Sequence, residues 1–120
     1  MLGAERYGTA HNGLGDWYVQ RLSAVITALL LPVAFILLLA VYTGSLNQMA
    51  LLDVIDGYPG RMLHTLLLMA VLSHAYLGVK VIVEDYVHKA ALRIPMMGAV
   101  LTGIAGFGIW WLSVIWAWGS

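Results

Sequence analysis

The sequence contains no cysteine, which excludes disulfides, cysteine-ligated iron–sulfur clusters and thiol catalysis from this chain. Charged residues are also scarce, at 10% of the 120 residues, whereas a small soluble domain needs more charge on its surface. The six basic and six acidic residues balance, so the chain lacks the basic footprint that binds nucleic acid. No repeat or low-complexity tract is present, and the polar N-terminal residues do not predict a cleaved signal peptide.

Hydrophobic residues, by contrast, make up 62% of the chain. Three segments are apolar over about 20 residues, the length that a helix needs to cross a bilayer. They must be helical, because lipid offers no hydrogen-bond partner to an open backbone. We therefore predict an all-α integral membrane protein, a single domain over 1–120 that forms part of a multi-subunit helical bundle. The predicted spans are 22–42, 62–83 and 94–118, with residues 1–20 outside the membrane or along its surface.

The basic residues predict the orientation of these spans. Three spans place the N-terminus and the second link, 84–93, on the same side of the membrane. That side carries all but one of the basic residues, namely Arg6, Arg21, Lys80, Lys89 and Arg93, whereas the other side carries only Arg61. The positive-inside rule therefore predicts that the N-terminus is inside and the C-terminus outside.

Smaller features of the predicted spans and links also carry expectations. Gln20, Ser23 and Thr27 share one helical face, and this polar stripe should point at other helices rather than at lipid. The acidic link 43–60 contains LLDVI at 51–55, which we interpret as a short interfacial turn. Pro95 suits the first turn of the third helix.

The second span carries a histidine, His74, near its middle, about 12 residues from its start. An intramembrane histidine is costly, so it usually has a partner or a function. Ala70 and Gly78 lie four residues before and after it, and these small residues would leave a flat slot beside the imidazole. The slot would suit a porphyrin with His74 as the axial ligand of its iron, or else close packing of a neighbouring helix with His74 hydrogen-bonded across the interface.

The same span ends in Asp85 and Tyr86, roughly 16 Å along the helix axis from His74. A tyrosine hydroxyl there could donate to a carbonyl of a lipophilic substrate while the carboxylate orients it or relays protons. The alternative is an ordinary interfacial tyrosine at a helix end. Arg21 could pair with a haem propionate or with a lipid phosphate.

Two further residues of the second span have more modest interpretations. Lys80 can pair with Glu84 at i+4, or extend its ammonium group to the inner surface. His64 is interpreted as interfacial and is assigned no ligand role.

The motif around His74 closely resembles the second span of the small hydrophobic membrane anchor subunit of succinate dehydrogenase, respiratory complex II. In that family the pattern is H-A-aromatic-x-G, several apolar residues, then D-Y and a short basic link. This sequence has HAYLG at 74–78, followed by Asp85 and Tyr86. The segments GLGDW at 13–17 and RLSA at 21–24 are similar to the start of that family's first span.

This resemblance implies a subunit of a four-subunit succinate:quinone oxidoreductase of the respiratory chain and the tricarboxylic acid cycle, in the bacterial cytoplasmic membrane. It implies that His74 is an axial ligand of haem b, that Tyr86 and Asp85 contact the quinone (ubiquinone or menaquinone), and that Arg21 lies near both. A cytochrome b-like second anchor would supply the other haem ligand, and FAD and iron–sulfur clusters would reside in the flavoprotein and iron–sulfur subunits. A haemless structural or assembly anchor and a fumarate reductase anchor remain the alternatives.

Overall fold

The computed structural model describes the backbone of residues 2–117 and the side chains of residues 14–117. Four helices follow one another: α1 (Leu2–Tyr42), α2 (Gln48–Asp56), α3 (Tyr58–Tyr86) and α4 (Ala90–Ala117), and the described residues form no strand. Three helices are long and apolar enough to cross a membrane, over Leu14–Tyr42, Tyr58–Tyr86 and Ala90–Ala117. The all-α, three-span fold class is confirmed.

The first helix begins well before the predicted span at 22–42, because α1 runs without a break from Leu2 to Tyr42. Hydropathy predicts which part of a helix contacts lipid. The helix itself can extend beyond that part, because its backbone hydrogen bonds are satisfied within the helix. Polar residues such as Asp16 and Gln20 therefore lie on the same helix as the apolar segment. Arg6, Gly13 and Trp118, on which parts of the sequence predictions rest, lie outside the range whose side chains are described.

The link between α1 and α3 is more ordered than the predicted turn, because it contains the nine-residue helix α2. Gly44, with a φ of 81°, follows the end of α1 in the left-handed conformation that favours glycine. The side chain of Asn47 caps α2 by accepting a hydrogen bond from the Ala50 N–H at 2.7 Å. Gly57 alone, in an extended conformation, separates α2 from α3.

The prediction that Pro95 opens the last helix is wrong, because α4 begins at Ala90 and contains Pro95. The first turn is already closed before the proline, since the N–H groups of Leu92 and Arg93 both donate to the Lys89 carbonyl oxygen. Pro95 therefore removes only one backbone hydrogen bond from a helix that has already begun. Membrane helices tolerate such a loss.

Helix α3 packs against each of the other three helices and forms the centre of the chain. Even so, few residues are buried: among the described residues these are Ser23, Leu68, Ala70, Leu77, Val83 and Ile115. Many large apolar side chains on all three spans remain exposed. Such a surface suits lipid and partner helices better than water.

The two ends of α3 differ in how they are packed. At the end that begins with Tyr58, which we call the outer end, Arg61 Nη1 donates to the Trp116 carbonyl oxygen at 3.1 Å. Trp116 Nε1 donates in turn to Thr65 Oγ1 at 2.9 Å. The ring centroids of Tyr58 and Trp116 lie 6.0 Å apart, edge to face. We call the opposite end, which carries Asp85 and Tyr86, the inner end.

Candidate functional site

His74 lies on the face of α3 that packs against α1. Its Nδ1 atom lies 3.3 Å from Ser23 Oγ, and Ser23 is the only polar residue that is buried among the described residues, with 4% of its surface exposed. The hydroxyl also donates to the carbonyl oxygen of Gln20 at 3.0 Å. His74 is thus attached through one ring nitrogen to a buried hydroxyl on the neighbouring helix.

The predicted polar stripe on α1 is therefore directed into the protein. Besides the buried Ser23, the Oε1 atom of Gln20 and the Oγ1 atom of Thr27 are shielded from solvent and have no hydrogen-bond partner among the residues whose side chains are described. Buried polar atoms without a partner are uncommon in proteins. Together these three residues give the α1 surface beside His74 a polar stripe in an otherwise apolar span.

An open, groove-like cavity of about 580 Å³ adjoins His74. It is lined mainly by apolar side chains of α1 and by His74 itself: Ala24, Thr27, Ala28, Leu31, Pro32 and Phe35. The small residues at its wall thus belong to α1, not to α3 as the slot between Ala70 and Gly78 predicted. Ala70 is buried with only 5% of its surface exposed, whereas the space beside Gly78 is open.

This arrangement fits a flat apolar group with a single axial ligand from the protein. Among residues 14–117 no cluster of three or more His, Asp or Glu side chains could hold a bare metal ion. A macrocycle that supplies its own in-plane ligands needs only an imidazole nitrogen and an apolar cavity. His74 Nε2, for which the described residues provide no hydrogen-bond partner, is such a nitrogen.

The second histidine of α3, His64, forms a hydrogen bond with α4 rather than with α1. Trp111 Nε1 on α4 donates to His64 Nε2 at 3.0 Å. A neutral imidazole that accepts at Nε2 carries its proton on Nδ1, so neither nitrogen keeps a free lone pair for a metal. The structure therefore gives a physical reason for leaving His64 without a ligand role.

Asp85 and Tyr86 lie where the sequence predicted, in the last turn of α3 at the inner end. Both are exposed, Tyr86 to 80%, and neither side chain has a hydrogen bond within residues 14–117. The structure does not bring them to His74, from which they remain separated by about three turns of helix. Arg21 is also exposed, and its guanidinium lies over the Trp17 ring, 5.4 Å from the ring centroid.

The sequence offered two alternatives for Lys80, a pair with Glu84 or an ammonium group extended to the inner surface, and neither named its short contact. Lys80 Nζ instead lies 2.6 Å from Asp16 Oδ2 on α1. The antiparallel register of α1 and α3 explains this contact. Asp16 lies seven residues before Ser23, and Lys80 lies six residues after His74, so each is about two turns from the Ser23–His74 contact. The periodicity of either helix alone does not reveal that register.

The fold and the site together define the class of protein: a multi-pass helical membrane subunit with a histidine beside an apolar cavity. The family described as "Succinate dehydrogenase/Fumarate reductase transmembrane subunit" matches residues 4–110. The succinate dehydrogenase hydrophobic membrane anchor subunit of Coxiella burnetii is 24% identical over 108 residues, which cover 90% of this chain and 92% of the relative. No solved structure matches the chain significantly.

The chain therefore belongs to the succinate dehydrogenase/fumarate reductase transmembrane subunit family. It is a membrane anchor subunit of that family, which confirms the resemblance found in the motif around His74.

Proposed function

We propose that the chain is the small anchor of a succinate:quinone oxidoreductase in the bacterial cytoplasmic membrane. In this proposal His74 provides one axial ligand to haem b, and Tyr86 and Asp85 form part of the quinone-reduction site. The flavoprotein and iron–sulfur subunits bind at the inner end, and a cytochrome b-like anchor supplies the second haem ligand. The observation that carries the haem assignment is the attachment of His74 Nδ1 to Ser23 beside the 580 Å³ cavity.

His74 Nε2 would hold the haem iron, and the apolar wall of α1 would shield one side of the macrocycle from water. When bound, haem b supplies reversible one-electron transfer, and its potential depends on the axial ligand and on the surrounding dielectric. This chain contributes binding, orientation and electrostatics. Arg21, which is exposed beside the same part of α1, is available to pair with a propionate.

At the inner end, Tyr86 would donate a hydrogen bond from its hydroxyl to a quinone carbonyl oxygen. Such a bond strengthens as negative charge develops on that oxygen during reduction. Reduction of a quinone consumes two electrons and two protons, and Asp85 could orient the tyrosine or pass on protons from the inner aqueous surface. The exposure of Tyr86 in this chain leaves its hydroxyl free for a pocket that partner subunits complete.

The test is a reduced-minus-oxidised absorption spectrum of the purified complex, with wild type, His74→Ala and His64→Ala compared. We expect a low-spin b-haem signal in the wild type and in His64→Ala, and its loss in His74→Ala. His64→Ala is the matched control, because it removes a histidine of the same helix whose Nε2 is engaged by Trp111.

A wild-type complex without the signal would make the chain a haemless anchor. A signal that persists in His74→Ala would remove His74 as the ligand. Comparison of succinate oxidation with fumarate reduction by the complex would distinguish a succinate dehydrogenase from a fumarate reductase anchor.

A further inference from the structure

The contact between Ser23 and His74 contains information about where the imidazole proton resides. A serine hydroxyl has a single hydrogen to donate but can accept two hydrogen bonds. Ser23 Oγ lies 3.0 Å from the Gln20 carbonyl oxygen, which can only accept, and 3.3 Å from His74 Nδ1. If the shorter contact uses the serine hydrogen, the hydrogen of the longer contact comes from His74.

On that assignment His74 Nδ1 carries the ring proton and donates it to Ser23. In a neutral imidazole the other nitrogen, Nε2, then keeps its lone pair. The opposite assignment, with Ser23 donating to Nδ1, would put the proton on Nε2 and would leave the Gln20 carbonyl without this bond. The local geometry thus favours the tautomer that is able to bind iron through Nε2.

We propose that Ser23 is a positioning residue, which fixes the tautomer and the ring orientation of His74 before haem is inserted. The inference rests on the proposed haem ligation by His74 and adds a role for α1 to it. Histidine ligands usually donate their second N–H to an acceptor, and this bond fixes the ring and raises the basicity of the ligating nitrogen. The acceptor here is buried, so water cannot readily replace it.

The bond should also affect the reduction potential of the haem. A more basic axial nitrogen stabilises the ferric state relative to the ferrous state, and therefore lowers the midpoint potential. Donation by Ser23 to the Gln20 carbonyl polarises the hydroxyl and strengthens its acceptance from His74. Removal of the hydroxyl should therefore shift the potential to a more positive value.

Thr27 provides a matched control on the same face of α1. Its hydroxyl is buried one turn away, lines the same cavity and has no hydrogen-bond partner within residues 14–117. Replacement of Thr27 by Val keeps the shape of the side chain and removes a hydroxyl that does not contact His74. If the loss of a hydroxyl acted only through polarity, substitution at either position would change the properties of the haem to a similar extent. If Ser23 positions His74, a change in imidazole orientation should appear only on substitution of Ser23.

The experiment compares purified complexes with Ser23→Ala, Ser23→Thr and Thr27→Val against wild type and His74→Ala. Three quantities are measured: haem per complex, the midpoint potential from the b-haem absorption, and the electron paramagnetic resonance g-values of the oxidised haem, which report imidazole orientation. We expect Ser23→Ala to shift the potential positively and to change the g-values. Ser23→Thr, which keeps the hydroxyl, should stay near wild-type values, and Thr27→Val, which alters only the polarity of the cavity wall, should shift the potential by less than Ser23→Ala does.

If Ser23→Ala does not assemble, Ser23→Cys replaces it, because a thiol of similar size is a weaker acceptor and should shift the potential in the same direction. Haem loss from an assembled Ser23→Ala complex that Ser23→Thr restores would also support the proposal. Unchanged potential, g-values and haem content in Ser23→Ala, with the signal still lost in His74→Ala, would overturn this inference alone. A wild type without haem, or a signal that survives in His74→Ala, would overturn the proposed function and this inference together.

Discussion

The ion pair between Asp16 and Lys80 joins α1 to α3 near the inner end, and its contribution to stability can be measured by a double-mutant cycle. The cycle compares the wild type with Asp16→Asn, Lys80→Met and the double variant. The Nζ–Oδ2 distance is 2.6 Å, and the side chains are 43% exposed for Asp16 and 27% for Lys80. The pair is therefore neither fully solvated nor buried.

These exposures determine the expected magnitude. Fully exposed pairs contribute about 0.2–1 kcal/mol, whereas removal of one partner from a buried pair costs about 3–5 kcal/mol. We therefore expect a coupling energy of about 1–2 kcal/mol between the two positions. Because 1.36 kcal/mol corresponds to a tenfold change, this is a roughly 5- to 30-fold effect on an equilibrium constant or on a rate that depends fully on the pair.

The assay is the rate of irreversible thermal inactivation of the purified complex in lipid nanodiscs, measured for all four forms. Both single variants should inactivate faster than the wild type. If the two sites were independent, the relative rate of the double variant would be the product of the two single-variant relative rates, and we expect the measured rate to be lower than this product. The charge-swapped form, Asp16→Lys with Lys80→Asp, should recover much of the loss.

Glu84→Gln is the matched control, since Glu84 lies one turn from Lys80 on α3 but the short contact of Lys80 is with Asp16. Additivity of Asp16→Asn and Lys80→Met to within about 0.5 kcal/mol, the scatter seen for independent sites, would refute the reasoning. A larger coupling of Lys80 to Glu84 than to Asp16 would do the same.

Two other substitutions have defined outcomes. Tyr86→Phe should impair quinone reduction while succinate oxidation with an artificial electron acceptor survives, because only the hydroxyl is removed; equal quinone activity in wild type and variant would exclude Tyr86 from the mechanism. Gly60→Ala should destabilise the chain by about 1–3 kcal/mol, since a Cβ atom there would collide with the backbone carbonyl oxygen of Val54. Gly98→Ala is its control, because the corresponding space is open. Thermal denaturation of the complex distinguishes the two, and equal losses of stability would contradict the assignment of Gly60 to a close helix contact.

The sequence predicted the three spans and the inward direction of the polar stripe that contains Ser23, because hydropathy and helical periodicity are local properties. The early start of α1 and the position of Pro95 inside α4 were missed, because helix continuation depends on backbone bonds rather than on hydropathy. Local rules also place Lys80 beside Glu84, one turn away on the same helix.

The contacts between helices could not be predicted, since residues such as His64 and Trp111 are separated by 47 positions in the chain. Which faces meet is determined by the packing of all side chains together. Once Ser23 is known to lie against His74, however, antiparallel helices bring Asp16 close to Lys80. A single experimentally fixed contact would have made that second contact predictable.

The outer end of the bundle is closed by contacts within this chain, whereas the last turn of α3 at the inner end is exposed. Substitutions at the two ends should therefore have different phenotypes. At the outer end Arg61, Thr65 and Trp116 bind one another, so defects there should deplete the chain itself through misfolding and proteolysis. Beyond the Asp16–Lys80 pair, in the last turn of α3, Asp85 and Tyr86 remain exposed, so substitutions of these two residues should leave a stable chain that fails to recruit or serve its partners. Variants of Arg61, Thr65 and Trp116 should therefore show a low abundance of the chain. Variants of Asp85 and Tyr86 should show a normal abundance with defective assembly or activity of the complex.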